Sequence, residues 1–164
     1  MAHGRDKEDT AKDIYKKKMN YRLKHDVTIY ESGLVVNPAY PYLGASPDGK
    51  ILDKAASEPF GLMEVKCPYK YRNSTPEEAS ENEDFCLEKI NNVLRLKRDH
   101  GYFHQVQGQL AICGLNWCDF VVYTSQGMHV ERIKFDCHFW AVQMLPRLAE
   151  FYVNYALDYF SKSN

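Results

Sequence analysis

The spacing of apolar residues predicts three helices, one near each end of the chain and one in the middle. Apolar side chains recur at every third or fourth position over residues 5–23, which is typical of a helix with one buried face. A second helix is predicted over residues 100–113, where Gly114 can end it in a left-handed conformation. A third amphipathic helix is predicted over residues 136–159.

Between these helices, runs rich in β-branched and aromatic residues predict strands over 27–36, 42–46, 60–67, 118–123 and 129–135. Ile51 and Leu52 are expected to form a short return after the turn Pro47-Asp48-Gly49, and Pro68 ends the third strand. Residues 73–99 show a broken helical period and are interpreted as partly helical. The order is helix, three strands, helix, two strands, helix, so we expect an α/β fold with a mixed central sheet flanked by helices.

The composition favours one globular domain over residues 1–164, since 45% of the 164 residues are hydrophobic. No apolar run reaches membrane-spanning length, and the N-terminus has no secretory signal. The five cysteines are odd in number and form no C-x-x-C pair, which argues against disulfides or structural zinc. We therefore expect small buried thiols and a reducing intracellular compartment, either cytoplasm or nucleus. The net charge is −1, so phosphate binding would have to come from local basic patches or from a metal.

The strongest chemical signal joins a Ser-Pro-Asp-Gly turn to a Glu-Val-Lys strand. Asp48 precedes Glu64 by sixteen residues, and Lys66 follows two positions later. Strand side chains alternate between faces, so Glu64 and Lys66 point to one side while Val65 points into the core. If strand 42–46 pairs with strand 60–67, two carboxylates and an ammonium meet at one edge of the sheet.

Two close carboxylates repel each other unless a cation lies between them, and Mg²⁺ prefers oxygen ligands. The Val65 carbonyl could be a further ligand. Lys66 could hold a metal-bound water or stabilise charge that develops on a phosphate. The alternative is a salt bridge from Lys66 to a carboxylate on a solvated strand.

Two weaker candidates lie on the predicted helices. Glu8 falls on the apolar face of the first helix, where a carboxylate needs a partner; it could instead be a first-turn residue favoured by the helix dipole. Gln105 should approach the sheet, but it could be a core amide, with Gln107 or Gln109 as the functional residue. Beyond the catalytic strand, Tyr69 and Arg72 could contact DNA or be ordinary surface residues.

Four motifs in this order resemble the YqaJ-like viral recombinase family, the group that includes phage lambda exonuclease. They are Gly4-x-x-x-Glu8, Ser46-Pro47-Asp48-Gly49, the segment Gly-Leu-Met-Glu-Val-Lys-Cys-Pro over residues 61–68, and Tyr-Phe-His-Gln-Val-Gln over residues 102–107.

The resemblance implies a restriction-endonuclease-like PD-(D/E)XK core and Mg²⁺-dependent hydrolysis of phosphodiester bonds, with Mn²⁺ able to substitute. Asp48 and Glu64 would bind the metal, and Lys66 would assist the nucleophilic water. Glu8 would act on a second metal or its water shell. Gln105 would orient the nucleophile or substrate, and Ser46 would contact a phosphate.

The leading hypothesis is a 5′-to-3′ exonuclease on duplex DNA in recombination. DNA is the expected partner, together with a single-strand annealing protein and further copies of the chain. Family exonucleases carry helices and basic residues ahead of the glycine–glutamate helix, so the chain is a fragment or has a reduced 5′-end pocket. Two alternatives stay open: a nucleic-acid-binding module without turnover, and an endonuclease of the same superfamily.

Overall fold

The computed structural model describes residues 2–22, 24–157 and 159. Its strands are β1 (Val27–Tyr30), β2 (Val35–Asn37), β3 (Tyr40–Ala45), β4 (Gly49–Asp53), β5 (Phe60–Lys66), β6 (Leu87–Ile90), β7 (Val93–Leu96), β8 (Trp117–Thr124) and β9 (Gly127–Lys134). Its α-helices are α1 (Ala2–Lys17), α2 (Pro76–Ala79), α3 (Gly101–Cys113), α4 (Cys137–Phe139) and α5 (Leu145–Phe151). Single π-helical turns follow α1, α4 and α5, at Lys18–Arg22, Trp140–Met144 and Tyr152–Ala156, and a 3₁₀ turn spans Tyr69–Tyr71.

The central sheet has five strands in the order β1-β4-β5-β8-β9. Only β5 and β8 run parallel, and the other neighbours are antiparallel. A parallel pair needs a long crossover connection, and α3 lies within that connection. The predicted fold class, a mixed sheet flanked by helices, is confirmed.

Both faces of the sheet are covered because the strand side chains alternate between two apolar clusters. One cluster packs the sheet against α3 and the β6–β7 hairpin, through residues such as Leu62, Phe120 and Leu110. The other packs it against α1, through residues such as Met63, Val65 and Tyr15. Strand β5 is therefore buried on both sides from Gly61 to Val65.

A buried polar network fixes α1 on its face of the sheet. The Tyr15 hydroxyl donates to Asp119 Oδ2 at 2.5 Å, and Arg132 Nε donates to Asp119 Oδ1 at 2.8 Å. Arg132 Nη2 also reaches Asp53 Oδ2 at 2.9 Å. Burial, together with the Asp119 charge, raises the pKa of Tyr15, so the phenol stays a proton donor. The network sets the position of α1, and therefore of Glu8, relative to the strands.

The prediction of one continuous strand over residues 27–36 is wrong. This segment divides into β1, which pairs with β4, and β2, which pairs with β3 in a separate two-stranded ribbon. Four residues without strand structure, including Gly33, separate the two pieces. The predicted strand 42–46 corresponds to β3 and lies in the same ribbon, so β3 does not contribute to the central sheet. The short return at Ile51 and Leu52 is instead the full central strand β4.

The prediction of a partly helical segment over residues 73–99 is largely wrong. The only α-helix in this segment is the four-residue α2. The apolar residues read there as a helical period lie mostly in the β6–β7 hairpin. Asn91 and Asn92 both have positive φ, 50° and 61°, which is the conformation of a two-residue hairpin turn. Leu94 and Leu96 are buried while their neighbours on β7 are exposed, so the true period is two.

The predicted helices agree better with the structure. α3 begins after His100 and ends at Gly114, which has φ +65° as expected for a helix C-cap. Residues 23 and 158, within the predicted first and last helices, lie outside the described residues. The five cysteines are free, but burial is confirmed only for Cys86 and Cys118. Cys67 and Cys113 are half-buried, and the prediction is wrong for Cys137, which is exposed at the start of α4. Among the described residues, no helix is both long and apolar enough to cross a membrane.

A fold prediction concerns Gly61, which lies under the Trp117 ring. A Cβ at position 61 would come within 2.4 Å of the ring. The ring cannot retreat easily, because Trp117 Nε1 donates to Glu58 O and Arg132 stacks on its face, 3.6 Å from the ring centre. Gly61→Ala should therefore lower the free energy of unfolding by at least about 2 kcal/mol, measured by urea denaturation.

The control is Gly101→Ala at the start of α3, where an added Cβ meets nothing within 4 Å. That change should be neutral or slightly stabilising. Equal stability of the two variants would contradict the packing argument.

Candidate active site

Asp48 and Glu64 are brought together by the antiparallel register of β4 and β5. Gly49 faces Met63 in this register, so the residue before Gly49 meets the residue after Met63. Asp48 Oδ2 accepts a hydrogen bond from the Val65 backbone N–H at 2.7 Å. The expected pairing of strand 42–46 with the catalytic strand is wrong, since β4 occupies that place.

Glu64 is buried, with 2% of its surface exposed, and three side chains hydrogen bond to its carboxylate. Lys66 Nζ lies 2.5 Å from Oε1, and Gln105 Nε2 donates to the same oxygen at 2.7 Å. Gln109 Nε2 donates to Oε2 at 2.9 Å. A buried carboxylate is costly without such donors, so these hydrogen bonds offset the cost of burying Glu64.

Lys66 lies between the sheet and α3. Besides Glu64, its ammonium donates to Gln105 Oε1 at 3.1 Å and lies 4.5 Å from the centre of the Tyr102 ring. Val65, in the opposite orientation on β5, is buried in the cluster beneath α1. The alternation of β5 therefore separates the polar α3 side of the site from the apolar α1 side.

The pKa of Asp48 is raised from 3.8 to about 6. Burial is the main cause, and the negative charge of Glu64 adds to it, while the Val65 N–H and the Lys66 ammonium act in the opposite direction. A bound cation would relieve the repulsion that the Glu64 charge exerts on the ionised form of Asp48.

Glu8 lies on α1 near this pair. Its carboxylate is within 2.5 Å of Lys12 Nζ and is 28% exposed, and its charge also raises the pKa of Asp48. Across the described part of the chain, no three His, Cys, Asp or Glu residues come close enough together to hold a metal ion. The role of Glu8 at a second metal or in its water shell stays a prediction.

The predicted substrate contacts lie around the rim. Ser46 is exposed between β3 and β4, two residues before Asp48. Tyr69 is 61% exposed, and the Arg72 guanidinium stacks 4.0 Å from the centre of its ring. Both residues follow the C-terminal end of β5, on the same edge of the sheet as Lys66.

The donor set fits a hard divalent cation. Asp48 and Glu64 supply carboxylate oxygens from neighbouring strands, as Mg²⁺ prefers. Gln109 Oε1 is a buried acceptor with no hydrogen-bond partner in the described part of the chain, and it belongs to the residue that contacts Glu64. A cation with its bound waters would relieve the carboxylate pair and could provide the missing donor.

The sequence alone left three glutamines of α3 as candidates and gave no role to Tyr102. Gln107 is the core amide: it donates to Lys134 O at 2.9 Å and accepts from Asp136 N at 2.8 Å. Gln105 and Gln109 both contact Glu64. The helical spacing of positions 102, 105 and 109 places them on one face of α3, and that signal could have identified them together.

The profile of the YqaJ-like viral recombinase domain matches residues 1–116. The chain belongs to this family. Among solved structures, the chain is similar to an alkaline exonuclease, LHK-Exo from Laribacter hongkongensis, with a TM-score of 0.68 and 25% identity over 99% of this chain and 73% of that one. The same exonuclease in complex with dAMP aligns with a TM-score of 0.69 and 24% identity, over 99% and 72%.

Among curated proteins, the YqaJ-like domain is 32% identical over 111 residues to an uncharacterized protein of Acanthamoeba polyphaga mimivirus. The match covers 63% of this chain and 17% of that relative, so the chain corresponds to a small part of the relative's length.

A pH prediction follows from the raised pKa of Asp48. A carboxyl group whose folded pKa lies above its unfolded value favours the folded state when it is protonated. This contribution is present below pH 3.8 and is lost as the pH rises to about 6. Without divalent cations, the wild-type domain should therefore lose stability relative to the Asp48→Asn variant over this window, and Mg²⁺ should reverse this loss.

Asp48→Asn should remove both the loss and the Mg²⁺ effect, as followed by urea denaturation at several pH values. Asp26→Asn, which alters an exposed carboxylate paired with Lys54, should keep both. A wild-type profile that Mg²⁺ leaves unchanged would contradict the cation-site interpretation.

A second prediction concerns Gln109. Gln109→Leu leaves Glu64 Oε2 without its donor and should destabilise the metal-free domain by about 1–3 kcal/mol. Saturating Mg²⁺ should reduce this loss, because a bound cation would take over that oxygen.

The matched control is Gln107→Leu, an equally buried glutamine on the same helix. Its lost hydrogen bonds are with Lys134 and Asp136, so its destabilisation should not depend on Mg²⁺. If the two variants respond equally to Mg²⁺, Gln109 has no special relation to the site.

Proposed function

We propose that this chain is a divalent-metal-dependent deoxyribonuclease that hydrolyses phosphodiester bonds, acting as a 5′-to-3′ exonuclease on duplex DNA in recombination. One observation carries the proposal. Two carboxylates on antiparallel neighbours, Asp48 and Glu64, lie beside an ammonium group, Lys66, which bridges Glu64 and Gln105. This is the minimum set of groups needed to hold a cation and to stabilise an attacked phosphate.

Asp48, Glu64 and the Val65 carbonyl would hold Mg²⁺, or Mn²⁺ in its place, and Glu8 would act on a second metal or its waters. When bound, the cation would polarise the phosphate and lower the pKa of a coordinated water. The hydrogen bond from Val65 N–H to Asp48 supports this assignment, because it orients the carboxylate without using both of its oxygens.

Lys66 would hold the nucleophilic water or neutralise charge that develops on the phosphate oxygens. It is well suited to this, since Glu64, Gln105 and the Tyr102 ring fix its ammonium beside the carboxylates. Gln105 can donate through Nε2 and accept through Oε1, so it would orient Lys66 and the substrate. Gln109 would fix the second oxygen of Glu64.

The relatives support the choice of substrate. The solved structures that match are described as an alkaline exonuclease, once with dAMP bound, and the family is named for viral recombination. We therefore propose DNA as substrate, with Ser46, Tyr69 and Arg72 as contacts. A single-strand annealing protein, further copies of this chain and an intracellular location belong to the same proposal, as does one nuclease domain over residues 1–164.

The decisive variant is Lys66→Ala. Loss of a group that stabilises transition-state charge should slow the hydrolysis of linear duplex DNA by about 10²- to 10³-fold. EDTA should abolish hydrolysis, and added Mg²⁺ or Mn²⁺ should restore it. Release of labelled nucleotides from each end of the duplex measures both the rate and the polarity.

Lys134→Ala is the matched control, because Lys134 is exposed at the opposite end of the sheet, in register with Trp117. It should retain the full rate. Full activity in EDTA would reject the metal mechanism. DNA binding without cleavage would identify a binding module, and cleavage of covalently closed circles would identify an endonuclease.

A further inference from the structure

A groove of about 440 Å³ lies between α1 and the edge strand β9, on the α1 side of the central sheet. Ile14, Tyr21 and Met128 form its apolar wall, and Lys17 and Lys18 add two ammonium groups. Among the residues that the structure describes, no Asp or Glu lines this groove. The groove therefore combines apolar surface with positive charge.

Helical spacing in α1 and in the π-helical turn after it produces the groove. Ala11, Tyr15 and Met19 recur at every fourth position and form the stripe that is buried against the sheet. The groove residues on the helix, from Ile14 to Tyr21, are also three or four positions apart and form the adjacent stripe. Tyr21 is 82% exposed, so its ring is accessible to a ligand.

The two lysines of the groove have no acidic partner. Neither Lys17 nor Lys18 forms an ion pair with a carboxylate in the part of the chain that the structure describes. Lys12 on the same helix differs, since it pairs with Glu8. Asp13, four residues before Lys17, lines a different groove on the β1 side of α1. Two ammonium groups are therefore available to an anionic ligand.

One end of the groove reaches the edge of the sheet that carries the candidate active site. Met128 is the register partner of Tyr123, which follows Val122, and Val122 is in register with Lys66. Met128 therefore lies two strands from Lys66, about 10 Å across the sheet at the usual strand spacing. This distance is about three steps along one strand of B-DNA. Lys66 faces α3 while the groove lies on the α1 side, so the groove suits a strand that is not held at Lys66.

The chemistry of the groove fits unpaired bases better than a duplex. The bases of a duplex stack on each other, so their flat faces are closed to a side-chain ring. A single strand exposes both its base faces and its phosphates. Tyr21 can then stack on a base while Lys17 and Lys18 contact the neighbouring phosphates.

We propose that this groove binds the complementary DNA strand, which becomes single-stranded when the other strand is hydrolysed. One base would stack on Tyr21, and the adjoining phosphates would contact Lys17 and Lys18. The inference rests on the proposed function, because hydrolysis of one strand from the end of a duplex leaves its complement unpaired.

The test compares equilibrium binding of a blunt duplex and of the same duplex with a single-stranded 3′ tail, in the Lys66→Ala background with Mg²⁺. The tail should strengthen binding. Tyr21→Ala should weaken binding of the tailed duplex by about fivefold or more and leave the blunt duplex unaffected. Tyr21→Phe should retain the affinity, because it keeps the ring. A duplex with a 5′ tail is measured in parallel, so that the result does not depend on the proposed polarity. Tails that add no affinity would overturn the proposal.

Salt dependence tests the two lysines. Lys17→Ala and Lys18→Ala should each reduce the steepness of the log–log salt dependence for the tailed duplex by about 0.7. The matched control is Lys16→Ala, because Lys16 is an exposed neighbour on the same helix that lines the groove beside β1. It should change neither the slope nor the affinity. Equal effects of all three variants would reflect diffuse charge and would overturn the proposal.

A fluorescent base analogue locates the stacked base. Placed at successive positions of the tail, it should change its emission on binding at a defined position near the junction with the duplex. The change should disappear in Tyr21→Ala and persist in Tyr21→Phe. A change that is the same in all three proteins would contradict stacking on Tyr21.

Polyglutamate distinguishes a DNA strand from an acidic protein segment. If it binds the parent protein and not Lys17→Ala, while tails add no affinity, the groove accepts an acidic segment and the strand assignment is wrong. Cleavage of linear duplex by the wild-type protein is assayed in parallel. Absent cleavage with the tail effects intact would reject the nuclease alone, and cleavage without those effects would reject the groove alone.

Discussion

Glu64 is a carboxylate buried inside a protein sheet, and its need for hydrogen-bond donors organises the site. Because only 2% of the Glu64 surface is exposed, water cannot provide hydrogen bonds to its carboxylate. Lys66, Gln105 and Gln109 supply the donors, and two of them belong to α3. These hydrogen bonds form only if α3 packs on the sheet in this position. The position of α3 therefore determines whether the Glu64 carboxylate has its donors.

The two faces of the central sheet differ in polarity near the candidate active site. The α3 face provides the amides and the aromatic ring around Lys66. The α1 face is apolar along most of its length and is locked by Tyr15, Asp119 and Arg132. The first turns of α1 bring the Glu8 carboxylate close enough for its charge to act on Asp48. The hydrogen bond of Tyr15 near the end of α1 thus helps to position Glu8 near its start.

Charge is distributed locally. The chain as a whole carries −1, and several of its lysines and arginines pair with nearby acids. Lys66 also pairs with an acid, but its partner Glu64 belongs to the candidate active site. A proposed metal at Asp48 and Glu64 would remove the local negative charge that otherwise repels a phosphate. Binding of cation and strand would then support each other.

By itself, the sequence determined the fold class, the α3 boundaries and the pairing of Glu64 with Lys66, because these depend on local period, caps and strand alternation. It also carried the family motifs. Only the tertiary structure decided that β4, and not residues 42–46, lies beside β5, and that residues 87–96 form a hairpin. Short apolar runs do not encode their partner strands. Helical spacing can group Gln105 with Gln109, but only the packing of α3 on the sheet decided that this face, and not the one with Gln107, meets Glu64.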